Sequence, residues 1–125
     1  LKDYHKKLDF EWHSSWQGYS AIRFNRYDVN TRMKLHCDHI HSLFEGERKG
    51  IPTLTILGAL NNDYKGGEFD LEIYGPAAEP RYVEIKNQQK SNCVIFYSDT
   101  WHRVRPVTKG VRKSLVGWIL GNQFK

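Results

Sequence analysis

Hydrophobic and polar residues alternate along most of the chain after residue 20, and this pattern predicts short β-strands. In the clearest stretch, Phe69, Leu71 and Ile73 alternate with acidic residues, as in a strand with one buried face. Thr53–Leu60 and Cys93–Tyr97 are almost continuously apolar or β-branched and predict central strands covered on both faces. Other strands are predicted at Ile22–Asn25, Tyr82–Ile85, Arg103–Val107 and Val111–Leu120, with loops at Ile40–Pro52, Asn61–Gly67, Gly75–Arg81 and Lys86–Asn92.

The start of the chain follows a helical spacing instead. Large apolar residues recur at four-residue intervals up to a stop signal at Gly18 and predict an amphipathic helix over residues 1–17. These residues are Tyr4, Leu8, Trp12 and Trp16. Near the other end, Gly110 can take a positive φ angle, so the two strands that flank residues 108–110 are predicted to pair as a hairpin.

About eight short strands behind one helix predict an all-β core, α+β overall. The expected architecture is a double-stranded β-helix, or jelly roll, with the N-terminal helix packed on one sheet. A chain of 125 residues is enough for one domain. We therefore expect a single domain over residues 1–125, with the helical part at about 1–19 and the jelly-roll core at about 20–121.

Composition narrows the choice of partners. The net charge of +5 modestly favours anionic partners, but no block of like charges occurs, so nucleic acid is the less favoured partner. Cys37 and Cys93 are too few for a disulfide scaffold, which predicts a cytoplasmic location (host cytoplasm for a viral protein). No apolar stretch approaches the roughly 18 residues that a membrane span requires, and no membrane partner is expected. The oligomeric state is left open.

The candidate chemistry begins at His36 and Asp38. Residues two apart on a strand project to the same face, so both donors can reach one metal ion while Cys37 turns away. His102, just after an apolar strand, is the best third ligand. Two histidines and one carboxylate leave three positions open, the arrangement of non-haem iron(II) sites that activate oxygen. His39 and His41 form a second possible metal pair, for which solvated loop histidines are the preferred interpretation.

A cationic side chain that could bind a carboxylate follows His102 in the sequence. Arg112 comes ten residues after His102, and the predicted turn brings it back toward that histidine. An arginine can hold a carboxylate with two parallel hydrogen bonds, and Ser114, on the same strand face, adds a hydroxyl.

These residues resemble the Fe(II)/2-oxoglutarate-dependent oxygenase superfamily and, within it, the prolyl 4-hydroxylase-like branch. The resemblance covers roughly Ala21 to Gly121. Besides the pair His36 and Asp38, it rests on the segment from His102 to Arg112 with Pro106, Val107 and Gly110, on Ser114 and Trp118, on Leu60-Asn61 and Gly66-Gly67-Glu68, and on Arg26-Tyr27.

The resemblance implies a role for each matched residue. His36, Asp38 and His102 would bind Fe(II), and Arg112 would bind the distal carboxylate of 2-oxoglutarate. Ser114 and Tyr27 are candidate further contacts of 2-oxoglutarate, with a packed strand tyrosine as the alternative for Tyr27. Trp118 would line the substrate pocket, or else serve as a core aromatic.

The implied activity is that of an oxidoreductase. With Fe(II) bound and 2-oxoglutarate and O2 as cosubstrates, it would hydroxylate a C–H bond of a peptidyl substrate, prolyl residues included, or of a small molecule, and would release succinate and CO2. Ascorbate is the expected reductant and L-ascorbic acid binding is expected with it. The alternatives are a nucleic-acid oxygenase of the same chemistry and a non-enzymatic jelly-roll module that binds a metal or ligand.

Three positions depart from the branch. The strand Ile56–Ala59 lacks a tyrosine that often contacts the cosubstrate, and Asn30 and Ser91 stand where glycine is usual. The departures leave the metal site intact, but they weaken the case for these cosubstrate contacts and for proline as the substrate.

Overall fold

The computed structural model of the chain describes residues 16–38, 50–86 and 88–121, and all regular structure in these ranges is β-strand. No helix within them is long and apolar enough to cross a membrane. The strands are β1 (Trp16–Tyr19), β2 (Arg23–Tyr27), β3 (Met33–His36), β4 (Ile51–Ala59), β5 (Lys65–Gly66), β6 (Phe69–Tyr74), β7 (Pro80–Glu84), β8 (Cys93–Tyr97), β9 (His102–Val104), β10 (Val107–Lys109) and β11 (Arg112–Gly121).

The strands form two main antiparallel sheets. The first sheet has the order β1-β11-β4-β8, with β2 also paired to β11, and the second has the order β3-β9-β6-β7. Strands β10 and β5 form a separate pair. In the first sheet the register places Trp118 opposite Thr55, and in the second it places His36 opposite His102.

The hydrophobic core lies between the two sheets. Its buried residues come from both of them and from β10. They are Tyr27, Leu57, Phe69, Phe96, Val104 and Val107. Burial of these side chains is the main favourable contribution to folding and holds the sheets face to face. The architecture is the predicted jelly roll.

Most predicted strands are confirmed, and three details are wrong. Residues 16–19 form β1 rather than the end of a helix, because they hydrogen-bond to β11; the rest of the predicted helix lies outside the described residues. Residues 65–66, predicted as loop, form β5. Cys93–Tyr97 is a strand but stands at one end of the described first sheet, with Tyr97 39% exposed, so it is not covered on both faces.

The predicted hairpin around residues 108–110 is also wrong. Gly110 does have a positive φ of 78°, but the turn carries the chain from one sheet to another. β9 pairs with β3 and β6, whereas β11 pairs with β1, β2 and β4. A turn signal fixes where the chain reverses, and long-range packing fixes the partner of each strand.

Asn30 and Ser91 adopt the conformation that glycine would supply. Their φ angles are 68° and 74°, in the left-handed region. Asparagine tolerates this region better than most residues because its side chain can bond locally. The backbone at both positions therefore keeps the shape expected for a glycine although the residue differs.

A buried carboxylate ties β9 to β6. Asp70 is fully buried and accepts hydrogen bonds from Arg103 Nε at 2.8 Å and from Arg105 Nε and Nη2 at 2.8 and 2.9 Å. Burial alone would raise the pKa of Asp70, but the bonds from Arg105 and Arg103 outweigh it and hold the pKa below its ordinary value. The cluster fixes the strand that begins with His102.

We predict that Asp70→Asn lowers the free energy of unfolding by about 1–3 kcal/mol at neutral pH, because two arginines lose their charged partner. A depressed pKa means that the stabilisation is present above the ordinary aspartate pKa and is lost as the pH falls through the lowered one. Urea unfolding of both proteins across this range should therefore show the difference shrinking in acid.

Asp28→Asn is the matched control. Asp28 pairs with Arg26 at 3.0 Å, but its side chain is 59% exposed, and such pairs contribute about 0–1 kcal/mol. Equal effects of the two substitutions would contradict the role given to Asp70.

Candidate functional site

Three potential metal ligands converge between the sheets. His36 ends β3, Asp38 lies two residues further on, and His102 begins β9; one donor atom of each lies within 4.8 Å of the others. Asp38 Oδ1 is 3.2 Å from His36 Nε2 and 3.5 Å from His102 Nε2. Ligand atoms bound about 2.1 Å from one ion at right angles lie about 3.0 Å apart, so the spacing suits a facial triad.

Both imidazoles are held in the tautomer that a metal needs. His36 Nδ1 lies 2.7 Å from the carbonyl oxygen of Lys34, and His102 Nδ1 lies 2.9 Å from that of Thr100. A carbonyl only accepts, so each Nδ1 carries a proton, and Nε2 is the nitrogen that each neutral ring would offer to a metal. Such contacts orient the histidine ligands of metal sites.

The first sheet holds the other oxygen of the carboxylate. Asp38 Oδ2 accepts hydrogen bonds from Thr55 Oγ1 at 2.9 Å and from Trp118 Nε1 at 3.1 Å. Thr55 and Trp118 lie opposite each other on β4 and β11, so one cross-strand pair supplies both donors. With Oδ2 satisfied, Oδ1 faces the two histidines.

The pKa shifts favour a neutral His102 and an ionised Asp38, the forms that bind a metal, whereas the shift of His36 favours its protonated form until a metal displaces the proton. Burial lowers the pKa of His102, which favours the neutral ring. The hydrogen bond with Asp38 raises the pKa of His36. Burial would raise the pKa of Asp38, but the hydrogen bonds from His36, Trp118 and Thr55 and the charge of His102 together lower it and keep the carboxylate ionised.

A buried cation faces the same interior. Arg112 begins β11 and is only 1% exposed. It donates weakly to Ser114 Oγ at 3.3 Å and to Gln88 Oε1 at 3.5 Å, and its Nε has no acceptor. Within the described ranges no carboxylate forms an ion pair with it. Because an unpaired buried charge is costly, the site calls for an anionic ligand, and a carboxylate of 2-oxoglutarate fits it.

Tyr27 packs against the buried cation. It stands opposite Arg112 in the register, with the guanidinium carbon 5.1 Å from its ring centroid. Burial raises the pKa of Tyr27, the charge of Arg112 lowers it and that of Asp38 raises it. Its hydroxyl lies 3.7 Å from Met33 Sδ, so Tyr27 packs in the core.

The structure brings His36, Asp38 and His102 together, with Trp118 bonded to Asp38, and places Ser114 and Tyr27 against Arg112. Reasoning from sequence missed Thr55 and Gln88. A hydroxyl inside an apolar strand was a usable signal for Thr55, whereas nothing local marks Gln88. His39, His41 and residues 40–49 of the predicted loop lie outside the described residues, and residues 51–52 belong to β4.

The family model of the 2OG-Fe(II) oxygenase superfamily matches residues 22–120. The chain belongs to this superfamily. The predicted resemblance is thereby confirmed, and membership implies Fe(II), 2-oxoglutarate and O2 for the site described above.

Curated relatives of this oxygenase are named as PKHD-type hydroxylases. One from Gloeothece citriformis is 33% identical over 99 residues, which span 79% of this chain and 42% of the relative. One from Parvibaculum lavamentivorans is 29% identical over 103 residues, spanning 82% and 43%. The chain therefore spans less than half the length of these relatives.

Solved structures show the same fold at low identity. A prolyl-4-hydroxylase of Pseudomonas putida has a TM-score of 0.60 at 20% identity and is matched over 86% of this oxygenase and 55% of its own chain. A prolyl hydroxylase of Trichoplax adhaerens, in complex with a hypoxia inducible factor peptide fragment, has a TM-score of 0.66 at 19% identity, over 85% and 46%.

We predict that Thr55→Val, which keeps the shape but removes the hydroxyl bound to Asp38, weakens metal affinity about tenfold or more, as is typical for residues that orient a ligand. Calorimetric titration of the metal-free protein with Mn2+ measures the change. Thr53→Val is the control, since Thr53 lies on the same strand but donates to the carbonyl of Ile119. Equal metal affinity in wild type and Thr55→Val would contradict the orienting role.

Proposed function

We propose that this chain is a 2-oxoglutarate-dependent dioxygenase that hydroxylates a C–H bond of a peptidyl substrate. The observation that carries the proposal is the pairing of a two-histidine, one-carboxylate cluster with a buried arginine that has no acidic partner within residues 16–38, 50–86 and 88–121. Bound together, iron(II), 2-oxoglutarate and O2 supply the oxidising chemistry that places a hydroxyl on carbon and yields succinate and CO2.

His36 and His102 would hold the iron through Nε2, and Asp38 through Oδ1. Their orientation is set before the metal arrives, because Lys34 and Thr100 fix the rings and the pair Thr55 and Trp118 fixes the carboxylate. Three ligands on one face leave the opposite positions for cosubstrates. The protein's share of the reaction is thus to position groups and to keep water out.

Arg112 would neutralise the distal carboxylate of 2-oxoglutarate. Iron(II) with the Asp38 carboxylate has one surplus positive charge, and the 2-oxoglutarate dianion turns this into one negative charge, which the guanidinium offsets. Ser114 lies 3.3 Å from Arg112 Nη1 and would add a hydroxyl donor. Because Arg112 is buried, the charges of the site must balance closely, since an unbalanced charge in the interior is costly.

A peptidyl substrate is favoured over a small molecule. One structural neighbour holds a peptide fragment of hypoxia inducible factor, and the curated relatives are hydroxylases by name. Trp118 would form part of the substrate pocket beside Asp38, to which its Nε1 donates a hydrogen bond. Prolyl residues are included among the proposed substrates, and ascorbate is the proposed reductant.

The test follows succinate during incubation with Fe(II), 2-oxoglutarate and ascorbate, without added substrate, so that only uncoupled turnover is measured. We predict that His102→Ala abolishes succinate formation by losing iron. Arg112→Ala should raise the KM for 2-oxoglutarate by about a hundredfold, because it removes the buried charge that meets the carboxylate.

Lys113→Ala is the matched control for Arg112. Lys113 is the next residue on β11, but its side chain is exposed on the other face, so its removal should leave both KM and turnover unchanged. Succinate formation by His102→Ala at the wild-type rate would remove the metal assignment, and with it the proposed function.

A further inference from the structure

The loop between β7 and β8 brings a neutral side chain to the buried cation. Gln88 lies in this loop, and its Oε1 accepts from Arg112 Nη2 at 3.5 Å, the long limit of a hydrogen bond. A guanidinium only donates, so the amide oxygen must face it and the Nε2 group points elsewhere. Gln88 Nε2 is buried and finds no acceptor in the part of the chain that the structure describes.

Two buried donors on these contacting side chains, Gln88 Nε2 and Arg112 Nε, therefore have no acceptor among the described residues. Buried polar groups are nearly always hydrogen-bonded, and leaving one unpaired destabilises the protein. Both side chains already contact each other, so one ligand with two acceptor atoms could serve both. A carboxylate has two such oxygens.

Close packing around Arg112 restricts where an acceptor for its guanidinium could lie. A Cβ atom at Gly67 would lie 3.0 Å from Arg112 Cδ and 3.1 Å from Val107 Cγ2, so the arginine stem is closely packed on that side. Gln88 and Gly67 also line a cavity of about 260 Å³, which Arg112 itself does not reach. Gln88 thus stands between the guanidinium and that cavity.

We infer that Gln88 is a further positioning residue of the 2-oxoglutarate site, which donates its amide N–H to the distal carboxylate and shields Arg112 from water. The inference rests on the proposed function. It has a specific chemical reason: a neutral amide adds a hydrogen bond without adding charge, so the charge balance of the site is kept. An acidic residue at position 88 would pair with Arg112 and exclude the cosubstrate.

The test is calorimetric titration of Mn2+-loaded protein with 2-oxoglutarate and, separately, with pyruvate, a 2-oxo acid that lacks the distal carboxylate. We expect Gln88→Leu, of similar size but without the donor, to weaken 2-oxoglutarate binding about tenfold. Gln88→Glu should weaken it about a hundredfold or more. Pyruvate binding should not change in either variant.

Gln89→Glu is the control, because it adds the same charge one residue away on an exposed side chain and should bind 2-oxoglutarate like wild type. Wild-type affinity for 2-oxoglutarate in both Gln88 variants, with affinity lost in Arg112→Ala, would overturn the inference and leave the proposed function standing. An equal loss of pyruvate binding would also overturn it, because the damage would then reach the metal end of the site. A wild-type protein that binds 2-oxoglutarate no better than pyruvate would overturn both.

Discussion

The site depends on the two oxygens of Asp38 making different contacts. The first sheet holds Oδ2 through the cross-strand pair Thr55 and Trp118, and the second sheet brings the imidazoles to Oδ1. The Asp38 carboxylate is therefore the group that contacts side chains of both sheets. In a jelly roll, two antiparallel sheets face each other across one core. Hydrogen-bond donors on one sheet can therefore orient a metal-binding side chain that the other sheet carries.

A second constraint is electrostatic. Arg112 is buried at the start of β11, on the strand that also carries Ser114 and Trp118. Alternate residues of a strand share a face, so a single strand presents the cation, a hydroxyl and the indole to the space between the sheets. A buried guanidinium without an acidic partner among the described residues costs stability in the ligand-free protein, and an anion bound there would offset that cost. The fold thus exchanges some stability for a pocket that is already charged and oriented.

Sequence alone predicted the chemistry better than the topology. His36, Asp38, His102 and Arg112 were identifiable because each is a residue type with few ordinary roles in a core and because their order and spacing resemble a known family. The pairing of β11 with β4 rather than with β9 was not predictable, since alternation shows which face is buried but not which strand lies alongside. Gln88 was not predictable for a related reason. Glutamine is common in polar loops, and only the fold brings this one against Arg112.

The most direct test of the account is a crystal structure of the protein grown with Mn2+ and 2-oxoglutarate, with anomalous scattering recorded to locate the metal. We predict one strong anomalous peak bound by His36 Nε2, Asp38 Oδ1 and His102 Nε2, with a carboxylate of 2-oxoglutarate against Arg112. A peak at other residues, or imidazoles directed to separate places with no shared ion, would contradict it.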